Sequence, residues 1–291
     1  MIDWHNYGYS ILAMKLSNGH PLVKISQAYE KIFARTASAH IAVTKAMANS
    51  LRSQFALSAP IHVLHDRPAD FFKPFSMEEK QIFSRNSPVL AEHSQALLSG
   101  KKRLLVSSTS WTPDEDFSIL IEALCEYSTK ATSAQLPEIT AIITGKGPQK
   151  DTYLRKIAQL SKEGKLEKVT IESAWLSFED YAALLASADL GVSLHTSSSG
   201  VDLPMKVVDM FGAGLPVIGW SDFEAWPELV TEDVNGKGFT SSQELAECLM
   251  DLFRPGDTQL EKLKQGAIAE STRRWDKEWD PVAGGLFGLV E

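Results

Sequence analysis

Two cysteines in 291 residues are too few for a disulfide framework. Cys125 and Cys248 both fall in apolar, helix-periodic segments, so they read as buried hydrophobes, imply a reducing compartment, and show no metal-ligand spacing. Basic residues are also in deficit. Lys and Arg number 29 against 37 Asp and Glu, giving a formal net charge of -8, which argues against a nucleic-acid binder. No apolar run approaches the roughly 18 residues of a membrane span, and the opening Met-Ile-Asp-Trp-His-Asn lacks the basic start of a signal peptide. No internal repeat is found. What remains is an ordinary globular composition, 44% hydrophobic and 23% charged, long enough for one large or two modest domains.

From Arg103 onward, short β-branched apolar runs alternate with amphipathic helical segments. RLLVSST, EITAIITG, KVTIESA, DLGVSLH and LPVIGW read as strands. DEDFSILIEALCEY, PQKDTYLRKIAQLSK, SFEDYAALLASA, PMKVVDMFGAG and SSQELAECLMDLF read as helices, with Ser177 a natural N-cap. This alternation predicts an α/β fold with a doubly wound parallel sheet, whose ligands sit beyond the carboxyl ends of the strands. The loops leaving those ends are SSTSWTPDED, TGKGP, SAWLS and HTSSSGVDLP. The first hundred residues follow a similar pattern but begin abruptly, as the second half of another α/β domain. The expected organisation is therefore 1–85 as that remnant, 86–102 as a linker, 103–270 as a complete Rossmann-like domain, and 271–291 as a terminal helix docking back on the N-terminal part.

Three clusters carry candidate chemistry. In HTSSSGVDLPMKVVDMFG, His195, Ser197, Ser198, Ser199 and Gly200 precede a helix opened by Pro204, with Lys206 in its first turn and Asp209 three residues later. Donors at a helix N-terminus with a lysine suit a diphosphate, and a carboxylate one turn on suits ribose hydroxyls. A serine-rich surface loop beside an ordinary Lys–Asp pair accounts for the same residues. Gly145, Lys146 and Gly147 leave a strand at the same edge, where glycine permits close approach of a ligand, though a plain turn has the same composition. Ser110 and Trp111 could line a sugar or phosphate pocket, or simply precede a helix capped by Thr112. At the N-terminus, Asp3, His5, Asn6, Tyr7 and Tyr9 crowd polar and aromatic groups together, and His5 is the candidate general base.

The ending VVDMFGAGLPV resembles the nucleotide-sugar signature of GT-B glycosyltransferases, with Asp209 in the slot of the ribose-holding Glu. The partner Glu seven residues earlier is absent; its slot falls on Val201 or Ser199. More narrowly, IDWHNYGYSIL, HDRPADFFK, SSTSWTPDEDFSIL, ITGKGP, SADLGVSLHTSSSGVDLPMKVVDMFG, NGKGF and RRWDKEW resemble the chitobiosyldiphosphodolichol β-mannosyltransferase family along essentially the whole chain. The resemblance implies a GT-B fold and inverting transfer of mannose from GDP-mannose to GlcNAc2-diphosphate-dolichol on the cytosolic face of the endoplasmic reticulum membrane. It implies no required metal, with Mg2+ as an optional aid, and other glycosyltransferases of the same route as partners. It assigns the donor diphosphate to Lys206, the 197–200 loop and Gly145–Gly147, ribose to Asp209, and guanine to Trp175 and Leu176. Members of that family carry an anchor and further strands ahead of the DWHN stretch, so this sequence reads as N-terminally shortened. Two other readings fit the same residues: a non-catalytic nucleotide-sugar-binding relative, and a GT-B transferase using another donor.

Overall fold

The computed structural model describes residues 1–112 and 115–289. The N-terminal part contains β1 (Ile2–Trp4), α1 (Gly8–Leu16), α2 (Pro21–Ala34), β2 (His40–Ala42), α3 (Lys45–Gln54) and β3 (Ile61–Val63). Its three strands pair in parallel in the order β1-β2-β3. Helix α1 has no side-chain cap; instead Glu30 of α2 accepts a hydrogen bond from Tyr9 N at 2.8 Å. The next elements are α4 (Met77–Asn86), α5 (Ser94–Leu98) and β4 (Lys102–Ser108). The 86–102 segment is no bare linker: it carries α5 and buries Leu90 completely. Helix α4 opens with a capping box in which Ser76 and Glu79 exchange hydrogen bonds.

The larger sheet follows from the alternation of α6 (Ser118–Ala131), β5 (Glu138–Thr144), α7 (Lys150–Lys162), β6 (Val169–Ala174), α8 (Phe178–Ser187), β7 (Leu190–Ser193), α9 (Met205–Gly212) and β8 (Val217–Trp220). It is completed by α10 (Trp226–Leu229), β9 (Gly236–Phe239) and α11 (Ser242–Leu252). All six strands are parallel, in the order β6-β5-β4-β7-β8-β9. Side chains alternate between two cores: Ile139, Ala141 and Ile143 of β5 face one, Ile142 the other. The second core runs unbroken from the large sheet to Trp4, Tyr7 and Phe55 of the N-terminal part. Helix α6 starts later than the periodicity suggests. Asp116, not Thr112, accepts from Ser118 N and Oγ, while Pro113 and Asp114 of the expected first turn lie outside the described residues. Cys125 and Cys248 are free and half-buried rather than fully buried, and desolvation pushes both thiols up.

Helix α12 (Gln259–Glu270), α13 (Trp275–Trp279) and a π-helical turn (Asp280–Gly284) close the chain. Ala283 packs with Ile41 and Leu64 of the small sheet, alongside Trp279 and Val282. Arg67, after β3, meets Glu278 through Nε (2.9 Å) and Nη2 (2.6 Å) and Glu270 through Nη1 (2.9 Å), with only 6% of its side chain exposed. Truncating Arg67 to Ala leaves two carboxylates unpaired in a partly desolvated place, so unfolding in urea should show a loss of about 3 kcal/mol or more. Burial pushes the Glu278 carboxyl up, but Arg67 and Arg273 together prevail and hold it below its ordinary value. Its stabilisation is therefore full above that ordinary value and fades as pH falls through the lower folded one. In Arg67→Ala this acid dependence should flatten.

Candidate active site

The strand order reverses at β4: β5 and β6 lie to one side, β7 and β8 to the other. Such a switch point opens a crevice at the carboxyl edge, and a cleft of about 450 Å3 lies there. Ser108 and Thr144, register partners on β4 and β5, form its floor, with Thr144 Oγ1 donating to Ser108 Oγ at 3.1 Å. Tyr181 of α8 reaches Ser108 Oγ at 2.8 Å. Trp175, Leu176 and Phe178 supply an apolar wall; Lys206 and Asp209 of α9 supply the charge. Lys146 lies over the Trp175 ring at 4.0 Å, a cation–π contact at the rim.

Lys206 does not pair with Asp209 despite their helical spacing. Its ammonium meets Glu115 Oε1. Glu115 is buried, and its other oxygen accepts from Thr109 Oγ1 and Ser110 N, both at 2.7 Å. The lysine is thus anchored from the β4–α6 loop. Asp209 has no ion-pair partner among the described residues, and burial alone pushes its carboxyl up to about 7.

Of the residues singled out in the sequence, the cleft gathers Gly145, Trp175, Leu176, Lys206 and Asp209, with Lys146 on its rim. Trp111 is not a lining residue. It is fully buried against Phe117, with its Nε1 donating to Gly145 O at 3.3 Å, and works from beneath. Ser110 is exposed and contributes its backbone amide to Glu115. The glycines serve loop packing rather than direct approach of a ligand: a Cβ on Gly145 would overlap the Thr109 carbonyl, and one on Gly147 the Ser110 carbonyl.

The serine loop is likewise not a set of free donors. Ser197 donates to buried Asp202, which also meets His195 Nε2 at 3.1 Å and Ser199 Oγ at 3.4 Å. Gly200 N donates back to Ser197 Oγ at 2.7 Å. Ser198 instead faces the N-terminal part, 3.3 Å from Asn6 Nδ2 and from Ser10 Oγ. Thr44 Oγ1 donates to Val201 O at 2.5 Å. The Glu228 carboxylate accepts from Lys45 N and Ala46 N at the start of α3, and from His65. His5 stands next to Asn6 with 59% of its side chain exposed, Nδ1 3.3 Å from Asp66 and Nε2 3.3 Å from Asp3.

Sequence reasoning placed Ser108, Thr109, Thr144 and Ser177 in loops at this edge without singling them out for the site, missed Phe178 and Tyr181 on the cleft wall, and gave no role to Glu115, Asp202 and Asp66 behind it. Glu115 sat in the expected first turn of α6. Among the described residues, no group of three or more His, Cys, Asp or Glu is arranged to hold a metal ion, and no helix is long and apolar enough to cross a membrane.

The profile described as Glycosyl transferases group 1 matches residues 101–254. A chitobiosyldiphosphodolichol beta-mannosyltransferase of Arthroderma benhamiae is 57% identical over the whole chain, which spans 66% of that relative. Another of the same name, from Yarrowia lipolytica, is 43% identical over the whole chain, here 61% of the relative. The Arabidopsis thaliana protein named UDP-glycosyltransferase TURAN is 40% identical over the whole chain and 71% of its own length. Among solved structures, Anabaena HepE in complex with UDP superposes with a TM-score of 0.72 at 20% identity, covering 99% of this chain and 72% of that one. This last likeness concerns the fold, which is α/β of GT-B type.

Two predictions follow from the charges. A carboxyl raised from 3.8 to about 7 corresponds to about 4 kcal/mol of destabilisation once both states are ionised. The folded state holds the extra proton between those values, so the deficit is absent below pH 4, grows as pH rises, and is complete above 7. Asp209→Asn should therefore out-melt the wild type at pH 8 and match it near pH 4. On the resemblance's assignment of a nucleoside diphosphate to this cleft, Lys206→Met should weaken GDP binding more than guanosine binding, by about 1.5–3 kcal/mol in calorimetry. It should also lower stability by stranding Glu115, and adding Glu115→Gln should restore stability but not GDP affinity.

Proposed function

The chain belongs to the group 1 glycosyl transferases and, within them, to the family of the chitobiosyldiphosphodolichol beta-mannosyltransferases; from that premise we propose that it transfers mannose from GDP-mannose to dolichol-linked chitobiose with inversion, forming a β-1,4 bond. The observation that carries the chemistry is that one cleft holds both an anchored Lys206 at the start of α9 and, one turn further on, an Asp209 with no ion-pair partner among the described residues. The substrates come from the relatives' names and the donor from the resemblance. In this reading the diphosphate lies by Lys206 and the amides of the α9 entry, ribose hydroxyls meet Asp209, and guanine packs on Trp175 and Leu176. His5 takes the acceptor proton as the hydroxyl attacks the anomeric carbon. Asp66 fixes its Nδ1, and the exposed Asp3 yields Nε2 to the acceptor. Charge building on the leaving GDP is met by Lys206. The reading needs no metal and places the enzyme at the cytosolic face of the endoplasmic reticulum, with other transferases of the same route as neighbours.

The decisive assay supplies GDP-mannose and a chitobiosyl-diphosphate lipid to the protein carrying the upstream sequence of its relatives. Transfer in the presence of chelator, with a product cleaved by β-mannosidase, is expected. His5→Ala should lower turnover by about 10²-fold or more with donor affinity nearly unchanged, and Asp66→Asn should lower it less. Transfer from a UDP-sugar but not from GDP-mannose would replace the donor. Nucleotide binding without any transfer would leave a binding protein.

A further inference from the structure

A second cavity, of about 240 Å3, lies at the opposite, amino-terminal edge of the large sheet, where β4 and β7 begin. Lys80 of α4, Arg103 of β4 and Lys264 of α12 line it, together with Ser187 and a single carboxylate, Asp189. That carboxylate is engaged within the lining: Oδ2 accepts from Leu104 N at 2.8 Å, and Oδ1 lies 3.6 Å from Arg103 Nη1. Two further donors in the lining are buried without any hydrogen-bond partner, Arg103 Nε and Ser187 Oγ. Neither Lys80 nor Lys264 forms an ion pair among the described residues. A chain with a formal net charge of -8 thus gathers three cations around one cavity with a single carboxylate, which pairs with Arg103 and leaves Lys80 and Lys264 without an ion-pair partner among the described residues.

Like charges held together are costly, and that cost falls when a compact anion enters. A tetrahedral oxyanion offers several acceptors to donors converging from different directions, as these do, and its size fits the space. We infer that this cavity is a binding site for a phosphoryl group, separate from the cleft on the other edge of the sheet. Burial, with Lys264 beside it, pushes the Lys80 ammonium down to about 7, against the opposing pull of Asp189 and Glu261. The phosphoryl group is either inorganic phosphate or the head of a small phosphomonoester. Among the described residues, no aromatic side chain lines the cavity to stack on a base.

The test titrates inorganic phosphate into the whole chain at fixed ionic strength held with chloride, reading the melting temperature and the heat of binding. A saturable rise in melting temperature is expected with phosphate and not with chloride. Lys80→Met/Lys264→Met should weaken phosphate at least tenfold and, with two like charges removed, melt no lower than the wild type in phosphate-free buffer. Lys206→Met should keep the phosphate response, which separates this cavity from the cleft. Glycerol phosphate in parallel decides the source: tighter binding than phosphate marks a phosphomonoester site, weaker binding a site for the free ion. If the double variant does not fold, Lys264→Gln alone carries the comparison. The inference is overturned by the absence of a saturable response, or by an equal response in the lysine variants.

Discussion

The candidate site depends on one buried carboxylate. Glu115, with 3% of its side chain exposed, is held at once by the end of β4 and by the first turn of α9. Those two elements flank the switch point of the sheet, so the pairing fixes the width of the crevice at its charged end. It also restrains a long flexible side chain. Lys206 in solvent would lose rotamer freedom on meeting a phosphate, whereas the anchored lysine has already lost it. A ligand phosphate then shares the ammonium with Glu115, and the thermodynamic gain is a difference between two charge-assisted contacts rather than one formed from water. The same carboxylate draws in Thr109 Oγ1, whose oxygen accepts from Trp111 N, and Trp111 in turn supports Gly145. The floor, rim and charged end of the cleft thus share one network.

The strands of the large sheet up to β8 were legible because each is a short run of β-branched and aliphatic residues bounded by turn formers. Strand β9 was not: Gly236 and Gly238 make up half of its four residues, and they are there because Val217 O and the Ser221 side chain leave no room for a Cβ. Helix α1 was hidden because its N-terminus is satisfied from another helix, through Glu30, a partner twenty-one residues away from Tyr9. Helix α4 was hidden for a weaker reason: its capping box at Ser76 and Glu79 is a local signal and was there to be read. Within the site, Lys206 and Asp209 were readable from helical spacing, but Ser108 and Thr144 become neighbours only through strand register. What the residue types concealed most was direction. Trp111 and the loop hydroxyls had the right chemistry for a ligand, and the fold turns Trp111 inward and commits the hydroxyls to protein partners.

That commitment has a functional side. The 197–201 loop is fastened to its own helix entry by Asp202 and to the N-terminal part by Ser198 and Val201. Nearby, Glu228 caps α3 from the far side of the crevice and binds His65, next in sequence to the Asp66 that holds His5. The 197–202 loop and His5 are therefore joined by short, polar, directional contacts rather than by apolar area alone. Such contacts are sensitive to angle and distance, so a small rotation of one part against the other breaks several together. Apolar packing between Trp4, Tyr7 and the underside of the large sheet provides adhesion that tolerates sliding; the polar ties set the register. This division lets the position of His5 depend on the state of the loop beside the cleft, through named hydrogen bonds that substitution can remove one at a time.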